Sequence, residues 1–370
     1  MDKIKTSVFV ICFLFNMAAF PAKVIKNTFW GDGDSLVFDH QGNMYIGYDS
    51  YSIAKYSPDG KLLLKIGRKG EGPGDIKRIG SYAFNPKDKT LYVTEYYKGN
   101  RRVSRFTTDG KFPGSWNFEM NWSKYDIVDD IAFDNEGNVL LIAEKRNERH
   151  YKDFILSNKV CDLLKFSPGG KFLKTIYTFN TDSDASKPGN FQVTIPFQNA
   201  LSWIVYQDKI IVKEISGNVI NIYSPDGELE KQIPFPVKNE KVTEKDLDAW
   251  EKRLKSLPFI KKLKMMGNAD VDYWRKSLTF PKYKPNSSWK MLTDSKGNLY
   301  VREYTRYKNK DPDWYRINLQ TGKIDTLTFK PGEALLRIWN DYFFIYKLVE
   351  KDGEEIEMIT RFTEKELLNR

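Results

Sequence analysis

Four glutamates occupy corresponding positions along the chain, each at the end of a short apolar run. They are Glu95, Glu144, Glu214 and Glu303, and Tyr48 holds that position in the first such run, with Asp49 beside it. Carboxylates that converge near one face of a fold could hold a hard cation such as Ca²⁺. Recurrence in nearly every copy favours a structural role instead, since one metal site needs unequal contributions. We therefore expect no cofactor. If these acids do hold a metal ion, Ca²⁺ is the expected one.

A second acidic group, Asp126, Asp129 and Asp130, comes just before an apolar run at residues 131–134. Carboxylates at the start of a strand that lines a channel could contribute metal ligands. No matching set of Asn or Glu is evident in the neighbouring runs, which favours a solvated acidic turn. Both interpretations remain open at this stage.

A basic segment offers a different chemistry. It begins at Trp250 and contains six cations with no acid between Lys252 and Lys264: Lys252, Arg253, Lys255, Lys261, Lys262 and Lys264. A basic amphipathic helix could contact an anionic membrane surface or an acidic partner. The alternative is an ordinary helix with a packed apolar stripe and solvated lysines. We predict this segment as a binding site.

Motifs of several enzyme classes are missing from the sequence. The glycine-rich stretch 67–74 lacks the Gly-Lys-Ser/Thr ending of a phosphate loop, and no helix is predicted after it. No Gly-x-Ser-x-Gly nucleophile motif occurs, and His40 and His150 are far apart in the chain. The two cysteines, Cys12 and Cys161, have no zinc-type spacing. These features favour a protein that is not an enzyme.

A unit of four strands and tight turns recurs through the 370 residues and would position these side chains. The first copy has apolar runs at 35–39, 44–48, 53–56 and 62–66, with a Pro-Asp-Gly turn at 58–60. Five more copies follow at a spacing of about 45 residues, as expected for blades of four strands. The sequence therefore predicts an all-β fold: a six-bladed β-propeller of four-stranded antiparallel blades.

Three segments depart from the repeat. Residues 242–276 read as a helical insertion, in which Thr243 and Asp246 form a capping box. Residues 145–159 and 180–201 read as further, less regular insertions. The sixth copy lacks a fourth strand, which residues 23–30 could supply to close the ring; the alternative is a loose leader.

The first 22 residues have the layout of a signal peptide. Lys3 and Lys5 precede an apolar stretch at 8–15, and small residues follow at Ala18, Ala19 and Ala22. A lipid anchor at Cys12 and an uncleaved anchor are the alternatives. We predict an exported protein, in the periplasm, in the cell envelope or secreted, with residues 23–370 as one domain.

The second copy resembles an NHL repeat. Residues 91–95 (Leu-Tyr-Val-Thr-Glu) and 100–106 (Asn-Arg-Arg-Val-Ser-Arg-Phe) match the family pattern, and the stretch 67–76 resembles the glycine-rich link between NHL blades. The resemblance is to exported bacterial six-bladed propellers. It implies that the acid ending the second strand pairs with an Arg of its blade or with backbone amides. Members of the family include both binding modules and enzymes.

The preferred function is an exported, non-catalytic propeller that presents one face to a protein, glycan or other ligand. The alternative is a metal-dependent hydrolase or lyase, similar to lactonases, with its site at the channel mouth. The net charge of +10 is spread over a surface of mixed sign. We expect no nucleic-acid partner, because an export signal argues against one, and we expect a monomer.

Overall fold

A computed structural model describes residues 36–95, 102–120, 125, 127–150, 155–186, 192–258, 260, 271–305, 312–351 and 354–368. The chain is built mainly from antiparallel strands, so the all-β prediction is confirmed. Among these residues, no helix has the length and apolar character needed to cross a membrane.

The described strands form six antiparallel sheets, each made of strands that follow one another in the chain. The first sheet contains β1 (Val37–Phe38), β2 (Met44–Gly47), β3 (Ile53–Tyr56) and β4 (Leu62–Ile66). The second contains β5 (Ile79–Asn85), β6 (Thr90–Glu95), β7 (Arg102–Phe106) and β8 (Gly114–Asn117). The third contains β9 (Ile127–Phe133), β10 (Val139–His150), β11 (Ile155–Phe166), β12 (Phe172–Ser186) and β13 (Gln192–Thr194).

The fourth sheet contains β14 (Leu201–Tyr206), β15 (Lys209–Glu214), β16 (Val219–Tyr223) and β17 (Leu229–Pro234). The fifth contains β18 (Ser287–Thr293), β19 (Asn298–Glu303), β20 (Trp314–Asn318) and β21 (Ile324–Leu327). The sixth contains β22 (Glu333–Trp339), β23 (Tyr342–Lys351) and β24 (Glu354–Thr363). Residues 23–30, predicted to add its fourth strand, lie outside the described residues.

Turns with a repeated sequence join the first and second strands of three sheets. The pattern Asp-x-x-Gly-Asn occurs at 39–43, 134–138 and 294–298. In each turn the aspartate accepts a hydrogen bond from the backbone N–H of the asparagine at 2.8–2.9 Å and another from its side-chain amide at 2.7–2.9 Å. An Asp side chain that satisfies turn amides in this way fixes the turn locally.

Each sheet packs against the next through its own buried apolar cluster, and the sixth packs back on the first. The cluster that joins the sixth sheet to the first includes Leu36, Leu336 and Phe344. Phe38 and Trp339 stack there with ring centroids 5.1 Å apart. Gly42, at φ +83°, lies so close that a Cβ would come within 2.7 Å of the Trp339 ring, which requires glycine. The sheets therefore surround a central space in a β-propeller-like arrangement.

In the described part of the chain, the fourth sheet is followed by the helices α1 (Glu244–Ser256) and α2 (Val271–Ser277). The predicted capping box is confirmed, since the Thr243 side chain and Asp246 each bond the other's backbone N–H. A last short helix, α3 (Glu364–Leu368), ends the described chain.

The third sheet differs from the expectation for residues 145–159 and 180–201. In their described parts these residues continue the sheet as the long strands β10, β11 and β12, together with β13. The two helices cover an apolar surface of this extension. Trp250 and Trp274 of the two helices pack on Ala185, Val193 and Ile195. We call α1, α2 and this extension the cap.

Candidate functional site

Three of the four glutamates end the second strands of their sheets, whereas Glu144 lies within the long strand β10. Glu95 is buried and forms an ion pair with Arg102, with 2.5 Å between Oε1 and Nε. The Lys77 backbone N–H also donates to Glu95, at 3.0 Å. This is the pairing that the NHL resemblance implies for that acid.

The other three glutamates have different partners. Glu214 accepts hydrogen bonds from the Tyr177 hydroxyl at 2.6 Å and from the Asn199 side-chain amide at 2.5 Å. Burial raises the pKa of the Tyr177 hydroxyl, and its hydrogen bond to Glu214 raises this pKa further. Glu144 lies 3.4 Å from the Lys159 ammonium, and Glu303 accepts from the Asp313 backbone N–H at 3.4 Å.

The carboxylates are therefore spread among separate local contacts. Within the described ranges, no group of three or more His, Cys, Asp or Glu side chains is arranged to hold a metal ion. Ca²⁺ binding thus stays a prediction from the sequence.

The basic segment belongs to the cap, and Lys261, Lys262 and Lys264 lie outside the described residues. Lys252 and Arg253 are exposed on α1, whereas the Lys255 ammonium bonds both Glu251 and Asp272 (2.6 Å to Asp272). Trp250, expected on the binding surface, lies in the cap core at 2% exposure.

A cavity of about 830 Å³ lies at the centre of the ring, and the first strand of every one of the six sheets contributes to its lining. This volume is in the range of sites that hold small molecules. The sequence predicts a channel but does not show which side chains line this cavity, because its wall comes from strands distant in the chain.

Four of the first strands carry a β-bulge where they line this cavity. The extra residues are Gly80 or Ser81 in β5, Asp130 in β9, two of the residues 288–290 in β18 and Leu336 in β22. Bulges are frequent beside functional sites because they redirect a side chain out of the regular alternation. Here the bulges bring Ser81, Asp130, Lys290 and Arg337 to the cavity wall.

Asp130 is the member of the predicted acidic group that reaches the cavity. It is exposed and has φ +49°, in the left-handed region that asparagine and aspartate tolerate better than most residues. Asp129 pairs in register with Ile142, and Asp126 lies outside the described residues. The structure therefore does not bring the three aspartates together as one described site.

Arg337 carries the least satisfied charge of the cavity wall. Its side chain is half-buried, and no described residue hydrogen-bonds or pairs with its guanidinium. Burial lowers the pKa of Arg337 below its usual range. The sequence signal was a single cation inside an apolar first strand, Glu-Ala-Leu-Leu-Arg-Ile-Trp.

Asp39 also lines the cavity, but its negative charge is neutralised within the first sheet by Lys55. Its carboxylate accepts from Asn43 and the Tyr45 hydroxyl and lies 3.5 Å from the Lys55 ammonium. Burial alone would raise the pKa of Asp39, but these hydrogen bonds lower it overall. The other charged side chains of the described wall are Asp130 and Lys290, which have interactions of their own, and Arg337.

Comparisons with known proteins identify the fold but no family. No family model matches the sequence, and a search of curated proteins found no match. A proposed exported protein from Bacteroides fragilis aligns with a TM-score of 0.53 and 12% identity, over 94% of both chains. A member of the DUF4221 family from Bacteroides vulgatus aligns with a TM-score of 0.51 and 10% identity, over 93% of this chain and 96% of that one.

A calcium-binding protein, regucalcin from Agrobacterium tumefaciens, aligns more loosely. The TM-score is 0.41 at 9% identity, over 88% of each chain. At 10–12% identity, the two Bacteroides proteins show only that the fold is shared. The looser alignment with regucalcin indicates nothing about a site in this chain.

Proposed function

We propose that this chain is an exported, six-bladed β-propeller of the NHL type that binds a small ligand in its central channel without converting it. The observation that carries the proposal is the group of four bulges, which bring Ser81, Asp130, Lys290 and Arg337 to one cavity. A scaffold that needed only to pack would keep regular strands there, since each bulge leaves a backbone group unpaired in the ladder.

Two further observations support the blade type and the blade number. Six sheets share six successive apolar clusters, so each sheet is a natural blade. The ion pair between Glu95 and Arg102 joins the two positions that the NHL pattern makes acidic and basic.

Export is supported by the layout of the first 22 residues. The mature protein should begin between Phe20 and Lys23. Mass spectrometry of protein recovered from the exporting cell's envelope tests this, and an intact Met1 there would contradict cleavage.

Ligand binding is tested by filling the channel. Ala132 lies on the cavity wall, so Ala132→Trp should block the space, whereas Ser115→Trp adds the same side chain on the exposed outer strand β8. Each protein is equilibrated with a small-molecule extract of the cells, washed, and its bound compounds are identified by mass spectrometry.

We expect the parent and the Ser115→Trp protein to retain a compound that the Ala132→Trp protein does not. Retention of the same compounds by all three proteins, or by none of them, would contradict binding in the channel. Conversion of a retained compound by the parent protein would instead favour the hydrolase alternative.

A further inference from the structure

Arg337 is a cation for which the described protein supplies no counter-charge. Its guanidinium lies in a protein-lined channel, and no described acceptor bonds it. A guanidinium stays protonated in proteins, so Arg337 keeps its positive charge in the channel even though burial disfavours that charge. An unpaired charge that has lost part of its hydration is costly, and such a group in a native structure calls for a partner that completes it.

The surrounding wall narrows the chemistry of that partner. Asp130 and Lys290, the other charged groups of the described wall outside the pair between Asp39 and Lys55, have interactions of their own. The charge that the described wall leaves without a partner is therefore the positive charge of Arg337, which favours an anion over a cation.

The wall presents polar and apolar surface in similar amounts. Trp203 and Trp339 line the cavity, whereas Ile131 and Met291, which also line it, are largely buried in the cores between sheets. A ligand with an anionic group and an apolar body would satisfy both parts of this wall, as is usual in small-molecule sites.

We infer that the ligand of the channel is a small molecule bearing an oxyanion, a carboxylate or a phosphate monoester, which Arg337 binds. This inference rests on the proposed ligand binding in the channel. The planar guanidinium presents two parallel N–H donors, which match the two oxygens of either group.

The test uses three probes with the same ring: benzoate, phenyl phosphate and the uncharged benzyl alcohol. Their dissociation constants for the full mature protein are measured by titration calorimetry at low ionic strength. We expect at least one anion to bind roughly tenfold or more tightly than benzyl alcohol, because a hydrogen bond to a charged group is worth about 1.5–3 kcal/mol. Comparison of the two anions separates the carboxylate from the phosphate.

Two substitutions at one position test the role of Arg337. Arg337→Gln removes the charge, and Arg337→Lys keeps the charge but removes the paired donors. We expect anion affinity to fall roughly tenfold or more in the first variant and by an intermediate factor in the second. Lys171→Gln, at the exposed residue that precedes β12, is the matched control and should leave all affinities unchanged.

Unchanged anion binding in Arg337→Gln would overturn the inference, as would anions that bind no better than benzyl alcohol, or no binding by any probe. If benzyl alcohol alone binds, and Ala132→Trp abolishes that binding, the oxyanion inference fails while the proposed channel function stands. If Lys171→Gln is the variant that loses the anions, they bind outside the channel and the inference fails.

Discussion

The Lys213 ammonium lies 2.8 Å from the Asn286 side-chain oxygen and so joins the second strand of the fourth sheet to the start of the fifth. Lys213 is fully buried, and it also donates to the backbone carbonyls of Glu214 at 3.0 Å and Gly217 at 2.9 Å. Burial lowers the pKa of Lys213 to about 7, although the nearby charge of Glu214 opposes the shift. The link therefore makes stability depend on pH.

The first prediction is that the free energy of unfolding rises between pH 7 and pH 9. Over this window the unfolded chain keeps a proton on Lys213 that the folded protein has released, so increasing pH favours folding. The slope from this one group should approach about 1.4 kcal/mol per pH unit and vanish below pH 7. Urea denaturation at pH 6, 7, 8 and 9 measures it.

The matched variants are Lys213→Met and Lys209→Met, both on β15. The Lys209 side chain is 42% exposed, whereas Lys213 is fully buried. The rise with pH should be lost in Lys213→Met and kept in Lys209→Met. An equal slope in the parent and Lys213→Met would show that Lys213 stays protonated up to the pH range of the unfolded chain.

The second prediction compares two equivalent turns. Asp134 lies 2.9 Å from the buried Lys165 ammonium, whereas Asp294 is bonded by Asn298 and by the Tyr300 hydroxyl at 2.9 Å. Asp134→Asn should cost about 3–5 kcal/mol, because it leaves a buried lysine without its counter-charge. Asp294→Asn should cost only about 1–3 kcal/mol.

Chemical denaturation of both variants measures the difference. Equal losses would mean that Lys165 is satisfied by its other contact, the Pro225 carbonyl at 2.7 Å.

The third prediction separates packing from charge in the cap. Trp250 is buried against Phe280, with ring centroids 5.3 Å apart, so Trp250→Ala should cost about 3–5 kcal/mol. Replacing the exposed Lys252 and Arg253 together by Gln should change stability by no more than about 0.5 kcal/mol each. Lys255 is left unchanged because it bonds Glu251 and Asp272.

Thermal melting and thermolysin cleavage report on the two variants. We expect faster cleavage within the cap of Trp250→Ala and a parent-like pattern for the Gln variant. Pull-downs from the cell envelope with the same Gln variant test the basic segment as a binding site. If the parent and the Gln variant capture the same partners at low salt, Lys252 and Arg253 are not part of a binding site.

The sequence predicted those features that depend on neighbouring residues in the chain. The turn at 58–60, the capping box of Thr243 and Asp246, and the acid and base of the second sheet all follow from short spacings. The polar side chains of the cavity wall could not be predicted, since a bulge changes which side chains face the channel without changing the apolar character of a short strand. The ion pairing of Lys255 was also missed, because Asp272 reaches it only when α2 folds back on α1.

The last prediction concerns the closure of the ring. In the described part of the chain the sixth sheet has three strands, with β24 at its outer edge, and we propose that residues 23–30 pair there. A variant that joins residue 22 to Gly31 should melt at a markedly lower temperature or aggregate. It would lose Val24, Ile25 and Phe29, whose burial is worth roughly 1.5–3 kcal/mol each, and it would expose a strand edge.

The control for this deletion keeps the strand and changes its charge, with Lys23→Gln and Lys26→Gln. It should melt like the parent, since the apolar side chains and the backbone pairing remain. Size-exclusion chromatography of the deletion variant distinguishes loss of the core from association through the open edge, because only the second produces larger species that grow with concentration. A melting temperature equal to that of the parent would leave the loose leader as the correct account of residues 23–30.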